Sequence, residues 1–139
     1  MEYKDEERGT IINRERAKQL INFKNIKLDR KITPTDIDGL IEYDNKAYIL
    51  MEFKYRGNEV PYGQGLAMVR MIDDFTAQGK YSMLLICEHD VVDPEQDIDA
   101  SKATVRNVYY KGKWCKPKVG FTNVKACIDQ FIKHVKSKE

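Results

Sequence analysis

Two short stretches in the first half of the chain, Thr35-Asp36-Ile37-Asp38-Gly39-Leu40 and Met51-Glu52-Phe53-Lys54, bring together residue types that do chemistry as a group. In a β-strand, side chains two apart point to the same side, roughly 6–7 Å from each other. Glu52 and Lys54 therefore project from one face, while Met51 and Phe53 go to the other. An upstream strand folding back on this one brings Asp38 to the same spot. Asp36 shares the face of Asp38 and is an alternative; Asp38 is preferred because Gly39 beside it lets backbone or substrate approach closely. A charge pair flanked by Leu50, Met51 and Phe53 is costly to bury unless something uses it. Two converging carboxylates make an oxygen-rich site for a hard divalent cation such as Mg²⁺, which takes few protein carboxylates, several waters and substrate phosphate. An adjacent ammonium steadies a phosphate oxygen. Together these groups supply charge neutralisation, a water of lowered pKa and in-line positioning, which is what phosphodiester hydrolysis needs. The ordinary alternative is a cross-strand salt bridge at a sheet edge, worth little in stability.

The surrounding pattern has to build those strands. Residues 10–24 predict a helix: Ile12, Arg16, Gln19 and Phe23 share one face, Ala17, Leu20, Ile21 and Lys24 lie beside it, and Gly and Pro are absent from its interior. Residues 27–35 are irregular, and Pro34 blocks helix continuation. Residues 36–43 alternate, with Ile37 and Ile41 on one parity and Asp36, Asp38 and Leu40 on the other. Residues 46–55 alternate as well, Tyr48, Leu50, Glu52 and Lys54 against Ala47, Ile49, Met51 and Phe53. Asp44-Asn45 is a short turn, so the two runs pair as an antiparallel hairpin. Gly57, Pro61 and Gly63 make 56–63 a loop.

Helical spacing returns over 64–78, where Met68, Ile72 and Phe75 form a stripe widened by Leu66 and Val69, and Gly79 stands as a C-terminal cap. Residues 81–87 are a continuous apolar run of strand length, the pattern of a strand covered on both faces. Residues 105–110 and Trp114-Cys115 flank Lys111-Gly112-Lys113 as a second hairpin. Val124, Cys127, Ile128, Phe131 and Val135 give an amphipathic helix that Thr122 could cap. The order is α-β-β-α-β, then a hairpin and a helix. It describes an α/β domain with a mixed sheet and helices packed on it.

Composition bounds the rest. The chain has 139 residues, a single-domain length (1–139), enough to bury roughly 68% of the unfolded surface. With 24 Lys and Arg against 22 Asp and Glu the net charge is +2, which excludes a histone-like protein held to nucleic acid by bulk charge; phosphate binding has to come from a local patch. No apolar run reaches the roughly 20 residues of a membrane span, and residues 1–8 are too polar for a secretory signal. Cys87, Cys115 and Cys127 are odd in number and far apart, so they do not form a disulfide framework. Cys87 and Cys127 read as buried small hydrophobes, which fits an intracellular, reducing location. His89 and His134 have no partner at a zinc spacing, and His89 is expected in an exposed loop after the third strand.

The acidic strand pair and the element order resemble the PD-(D/E)xK phosphodiesterase superfamily, which includes restriction, repair and phage nucleases. The resemblance covers residues 10–87. The family's Asp falls on Asp38 and its Glu-x-Lys on Glu52 and Lys54; its Pro-Asp pair is not intact, because Pro34 lies four residues before Asp38. Branches such as archaeal-type Holliday junction resolvases carry a glutamate on the first helix, a role that Gly9 and Glu15-Arg16 could fill, and many members place a glutamine on the helix after the Lys, as Gln64 stands here. The resemblance implies a restriction-endonuclease-like core and a Mg²⁺- or Mn²⁺-dependent nuclease acting on DNA. It implies that Asp38, Glu52 and the main-chain carbonyl of Phe53 hold the metal and that Lys54 orients the attacking water. Glu15 and Gln64 would trim the site.

Phosphate contacts are expected from Arg14, from Arg56 and from the basic hairpin with Lys111, Lys113, Trp114 and Lys116, where an aromatic can stack on an unpaired base. The bland reading of that hairpin is a solvated turn whose Trp114 fills the core. A homodimer suits a nuclease that cuts both strands. The rivals are a catalytically silent nuclease-fold module that binds DNA without cutting, and a protein-interaction domain such as a phage inhibitor of a host enzyme.

Overall fold

A computed structural model describes residues 14–139, and the chain divides into two compact units, Met1–Pro34 and Thr35–Glu139. Among the described residues of the first unit, helix α1 covers Arg14–Ala17 and a 3₁₀ turn covers Asp29–Lys31. The helix expected over 10–24 is therefore not continuous: residues 10–13 lie outside the described residues, and 18–24 are not helical. Leu20 is 93% exposed and Ile21 is exposed too. Of the described residues on that stripe none is fully buried and Phe23 is half-buried, and a helix of that length with little burial is marginal in water.

The second unit is an α/β layer structure around one mixed five-stranded sheet in the order β1 to β5, with β1 Gly39–Tyr43, β2 Ala47–Tyr55, β3 Tyr81–His89, β4 Thr104–Tyr110 and β5 Lys113–Cys115. β1 and β2 pair antiparallel with Gly39 opposite Met51; β2 and β3 run parallel with Glu52 opposite Ile86; β3–β4 and β4–β5 are antiparallel. Helix α2, Tyr62–Ala77, connects β2 to β3, and helix α3, Val124–Lys136, follows β5; both pack on the sheet. Alternation divides the core in two. Ala47, Ile49, Leu85 and Cys87 pack with Cys127, Phe131 and Val135 of α3, whereas Leu50, Leu84, Ile86 and Tyr109 pack with Met68 and Ile72 of α2. β3 is covered on both faces, as its unbroken apolar run requires.

Local chemistry sets the boundaries. The first hairpin turns through Asp44 and Asn45, both left-handed at φ 47° and 56°, which matches the twist of the strands it joins. β1 starts at Gly39, not at residue 36, because the Asp38 carboxylate takes the Phe53 N–H (2.8 Å) that a continuing ladder would have used. α2 starts at Tyr62, two residues earlier than its apolar stripe suggests, and Gly79 at φ 85° follows its end. α3 is capped by Asn123, whose Oδ1 accepts the Ala126 N–H at 2.7 Å, and not by Thr122. His89 closes β3 itself, its ring edge-on to Tyr55 and its Nδ1 accepting the Val91 N–H, so it is no loop residue. All three cysteines are free, and burial pushes the Cys87 thiol up to about 12, consistent with an inert packing role. Among the described residues no helix is long and apolar enough to cross a membrane.

Candidate active site

The α2 face of the sheet ends, at the C-terminal tip of β2, in charge instead of hydrocarbon. Leu50 is followed on this face by Glu52 and Lys54, and the hairpin register puts Asp38 next to them, just before β1. Glu52 is 3% exposed; among the described residues only it and Ser82 are buried polar side chains. Lys54 Nζ lies 3.3 Å from Glu52 Oε1 and is 22% exposed, so the ammonium reaches out along the pair toward solvent. Glu52 Oε2 is buried and has no hydrogen-bond partner. Its carboxyl is held above the ordinary range, first by burial and then by the charge of Asp38, with Lys54 pulling the other way. Asp38 is exposed, and one of its oxygens is spent on Phe53 N–H.

The backbone belongs to the site as well. A strand residue points its N–H and C=O to the same side. Since Phe53 donates toward the β1 side, its carbonyl faces the same way, beyond Gly39, the first β1 residue. Gln64, in the first turn of α2, donates from Nε2 to the Asp36 carbonyl at 3.0 Å. It positions the segment that carries Asp38 and does not touch the carboxylates through that bond. Asp36 thus contributes its carbonyl to this brace. At Gly39 a Cβ would stand 2.9 Å from Met51 Cε, the far end of a flexible side chain that would have to move aside.

A divalent cation is compatible with this donor set. An unpartnered, buried carboxylate oxygen, a second carboxylate and a main-chain carbonyl are few ligands, and Mg²⁺ keeps most of its waters in such a setting. Among the described residues no third His, Cys, Asp or Glu side chain joins them.

Glu15 belongs to the N-terminal unit, exposed, with Lys18 Nζ at 3.5 Å. Arg14 lies in the same unit and is not without partners. Arg56 is exposed and donates from Nε to Asp90 at 3.0 Å, beside the Tyr55 ring. Lys111 and Lys113 sit at the opposite end of the sheet: Tyr110 is level with Met83 and Ile49, three residues or roughly 10 Å from Glu52 along the strand. The structure does not bring these two lysines to the carboxylates. Lys116 turns back and donates to the Arg106 carbonyl. Trp114 is 50% exposed and tilted against Tyr109 at 5.1 Å, so it does not fill the core.

One cluster escapes sequence reasoning altogether. Glu88, opposite Lys54 in the β2–β3 register, accepts from Gly57 N–H (2.8 Å) and from Arg106 Nη2 (2.6 Å), while Arg106 Nη1 donates to the Asn58 carbonyl (2.8 Å). This ties the loop after β2 to β3 and β4. No local spacing signals it, because the partners are 18 to 48 residues apart.

Compared with known proteins, the chain matches no family model, no curated protein and no solved structure.

Proposed function

We propose that the chain is a Mg²⁺- or Mn²⁺-dependent nuclease acting on DNA, built on a restriction-endonuclease-like core. The observation that carries this reading is Glu52: a buried carboxylate with one oxygen unpartnered, its proton affinity raised, and Asp38 and Lys54 beside it. A protein does not keep such a group for stability, since an unsatisfied buried acid costs free energy. The antiparallel β1–β2 pair followed by α2 and a parallel β3 supports the same core.

In this reading Asp38, Glu52 and the Phe53 carbonyl hold the cation. Bound there, the metal supplies a Lewis acid and a water of lowered pKa. Lys54, 3.3 Å from Glu52 Oε1, would orient the attacking water and steady a phosphate oxygen. Gln64 fixes the Asp36 carbonyl and with it the approach of Asp38. Leu50, two residues before Glu52, and Ile86, its register partner, belong to the apolar cluster packed against α2.

The test is cleavage of a panel of labelled DNA and RNA structures by wild type and by Asp38→Asn, each with Mg²⁺, Mn²⁺ or excess chelator. Metal-dependent cutting that the substitution removes is expected. Cutting that persists undiminished in chelator sinks the metal role. Salt-sensitive binding without any cutting would leave the silent DNA-binding module instead.

A further inference from the structure

Beside the charged pair, on the same face of the sheet, lies a cavity of about 700 Å³, within the size range of small-ligand sites. Its floor is Ile86, the register partner of Glu52, so one strand spacing, roughly 5 Å, separates it from the β2 carboxylate. Leu66 and Val69 of α2 form one wall and Trp114 of β5 the other, with Arg106 and Asn107 of β4 between them. The Trp114 ring is fixed as a platform. It leans on Tyr109, its cross-strand partner, whose hydroxyl donates to Asp73 of α2 at 2.7 Å. Arg106 is held at the rim by Glu88 and the Asn58 carbonyl, and Asn107 is only partly buried.

An open cavity with apolar residues in its lining, a half-exposed indole, a guanidinium held by Glu88 and a carboxamide able both to donate and to accept are the features that recognise a planar heterocycle. We propose that this cavity receives an unpaired nucleobase of the DNA strand whose phosphate lies at Lys54. Trp114 stacks on the base, and Asn107 and Arg106 address its edge. The proposal rests on the nuclease reading for the position of the strand, but the chemistry of the cavity stands apart from it. A base in this slot must be out of a duplex, so the preferred substrate has single-stranded character next to the cut.

Trp114 is the one tryptophan of the chain, so its fluorescence reports directly on the cavity. In chelator, where a metal-dependent enzyme would not cut, a mixed-sequence single-stranded 15-mer should quench it saturably, and a blunt duplex of the same sequence should do so at least 5-fold more weakly. Gly65→Leu fills the slot: the Cβ position of Gly65 meets only Val60 Cγ1, at 3.7 Å, and Leu favours the helix. It should weaken single-strand binding by roughly 5- to 150-fold, the range of one lost stacking contact. Trp114→Ala, read by anisotropy of a fluorescein-labelled 15-mer, should weaken it over the same range and covers a Gly65→Leu chain that fails to fold.

Undiminished binding by either folded variant, or equal quenching by duplex and single strand, overturns the base site. Quenching by free thymidine monophosphate but not by the oligonucleotide overturns it in favour of a small-molecule pocket. Quenching by the single strand with no cleavage under any metal keeps the base site and sinks the nuclease; cleavage with no quenching does the reverse.

Discussion

Glu52 and Glu88 stand two residues apart in register on adjoining strands of one sheet face, and their surroundings differ in sign. Glu88 is complete: a backbone N–H and a guanidinium meet its carboxylate, and the Gly57 hydrogen bond first, then Arg106, hold its pKa below the usual value. Glu52 is incomplete: burial and the nearby Asp38 push its pKa up, Lys54 offsets only part of this, and Oε2 has no hydrogen-bond partner. Both oxygens' surroundings matter: Glu88 is tied to a loop and a strand, whereas Glu52 pairs with Lys54 through one oxygen and leaves the other without a hydrogen bond, the feature on which the proposed ligand role rests. The difference separates structure from function here better than the identity of the residues does.

The comparison breaks first at Lys54. Lys54→Ala should slow single-turnover cleavage by roughly 10²–10⁴-fold, the range for a side chain that handles a proton, with an unchanged far-UV spectrum because Lys54 is off the apolar core. Full activity in that variant removes the assigned mechanism. Glu52→Gln should also abolish cleavage, yet it should raise the melting temperature, by roughly 2–6 °C for about 1 kcal/mol, because it takes a strained charge out of the interior. A lower melting temperature would make Glu52 a structural group like Glu88.

Glu88→Gln should do the opposite. Melting should fall and the Gly57 amide should lose hydrogen-exchange protection, while cleavage by the correctly folded fraction changes only a few-fold. A loss as large as that of Lys54→Ala would draw Glu88 into the reaction.

The smallest effect is in pH. The folded pKa of Glu52 lies above its ordinary 4.5, so the folded state binds the extra proton. Its contribution to stability therefore grows as pH falls from just above the folded value toward 4.5, and cleavage fades over the same window. Glu88, lowered in the fold, contributes stability present above 4.5 and lost as pH drops toward its folded value. Melting curves against pH for the two Gln variants should each lack one of these limbs, and saturating Mg²⁺ should push the Glu52 limb to lower pH.

Much of the sheet was legible because its signals are local. The alternation over 46–55 describes β2 Ala47–Tyr55 and sorts Glu52 and Lys54 from Met51 and Phe53; the run from Tyr81 reads as a strand buried on both sides, and the stripe from Val124 to Val135 as the face of α3. The helix over 10–24 was not legible, since periodicity states which face is apolar and not whether anything covers it, as exposed Leu20 shows. Asp38 illustrates a second limit. A side chain that competes for a ladder N–H ends a strand, and alternation alone carries that run on to residue 36. Trp114 shows a third: aromatic content does not tell a core filler from an exposed platform, because that depends on Tyr109 and Asp73.

By itself the sequence determined which residues share a strand face and where acid and base types recur, because those follow from a two-residue repeat and short-range sterics. Only the tertiary structure decided that Glu52 would be buried and left one hydrogen bond short while Glu88 found Arg106, and that a cavity would open beside the first. Burial, long-range pairing and empty space are properties of how distant segments meet, and no window of neighbouring residues contains them.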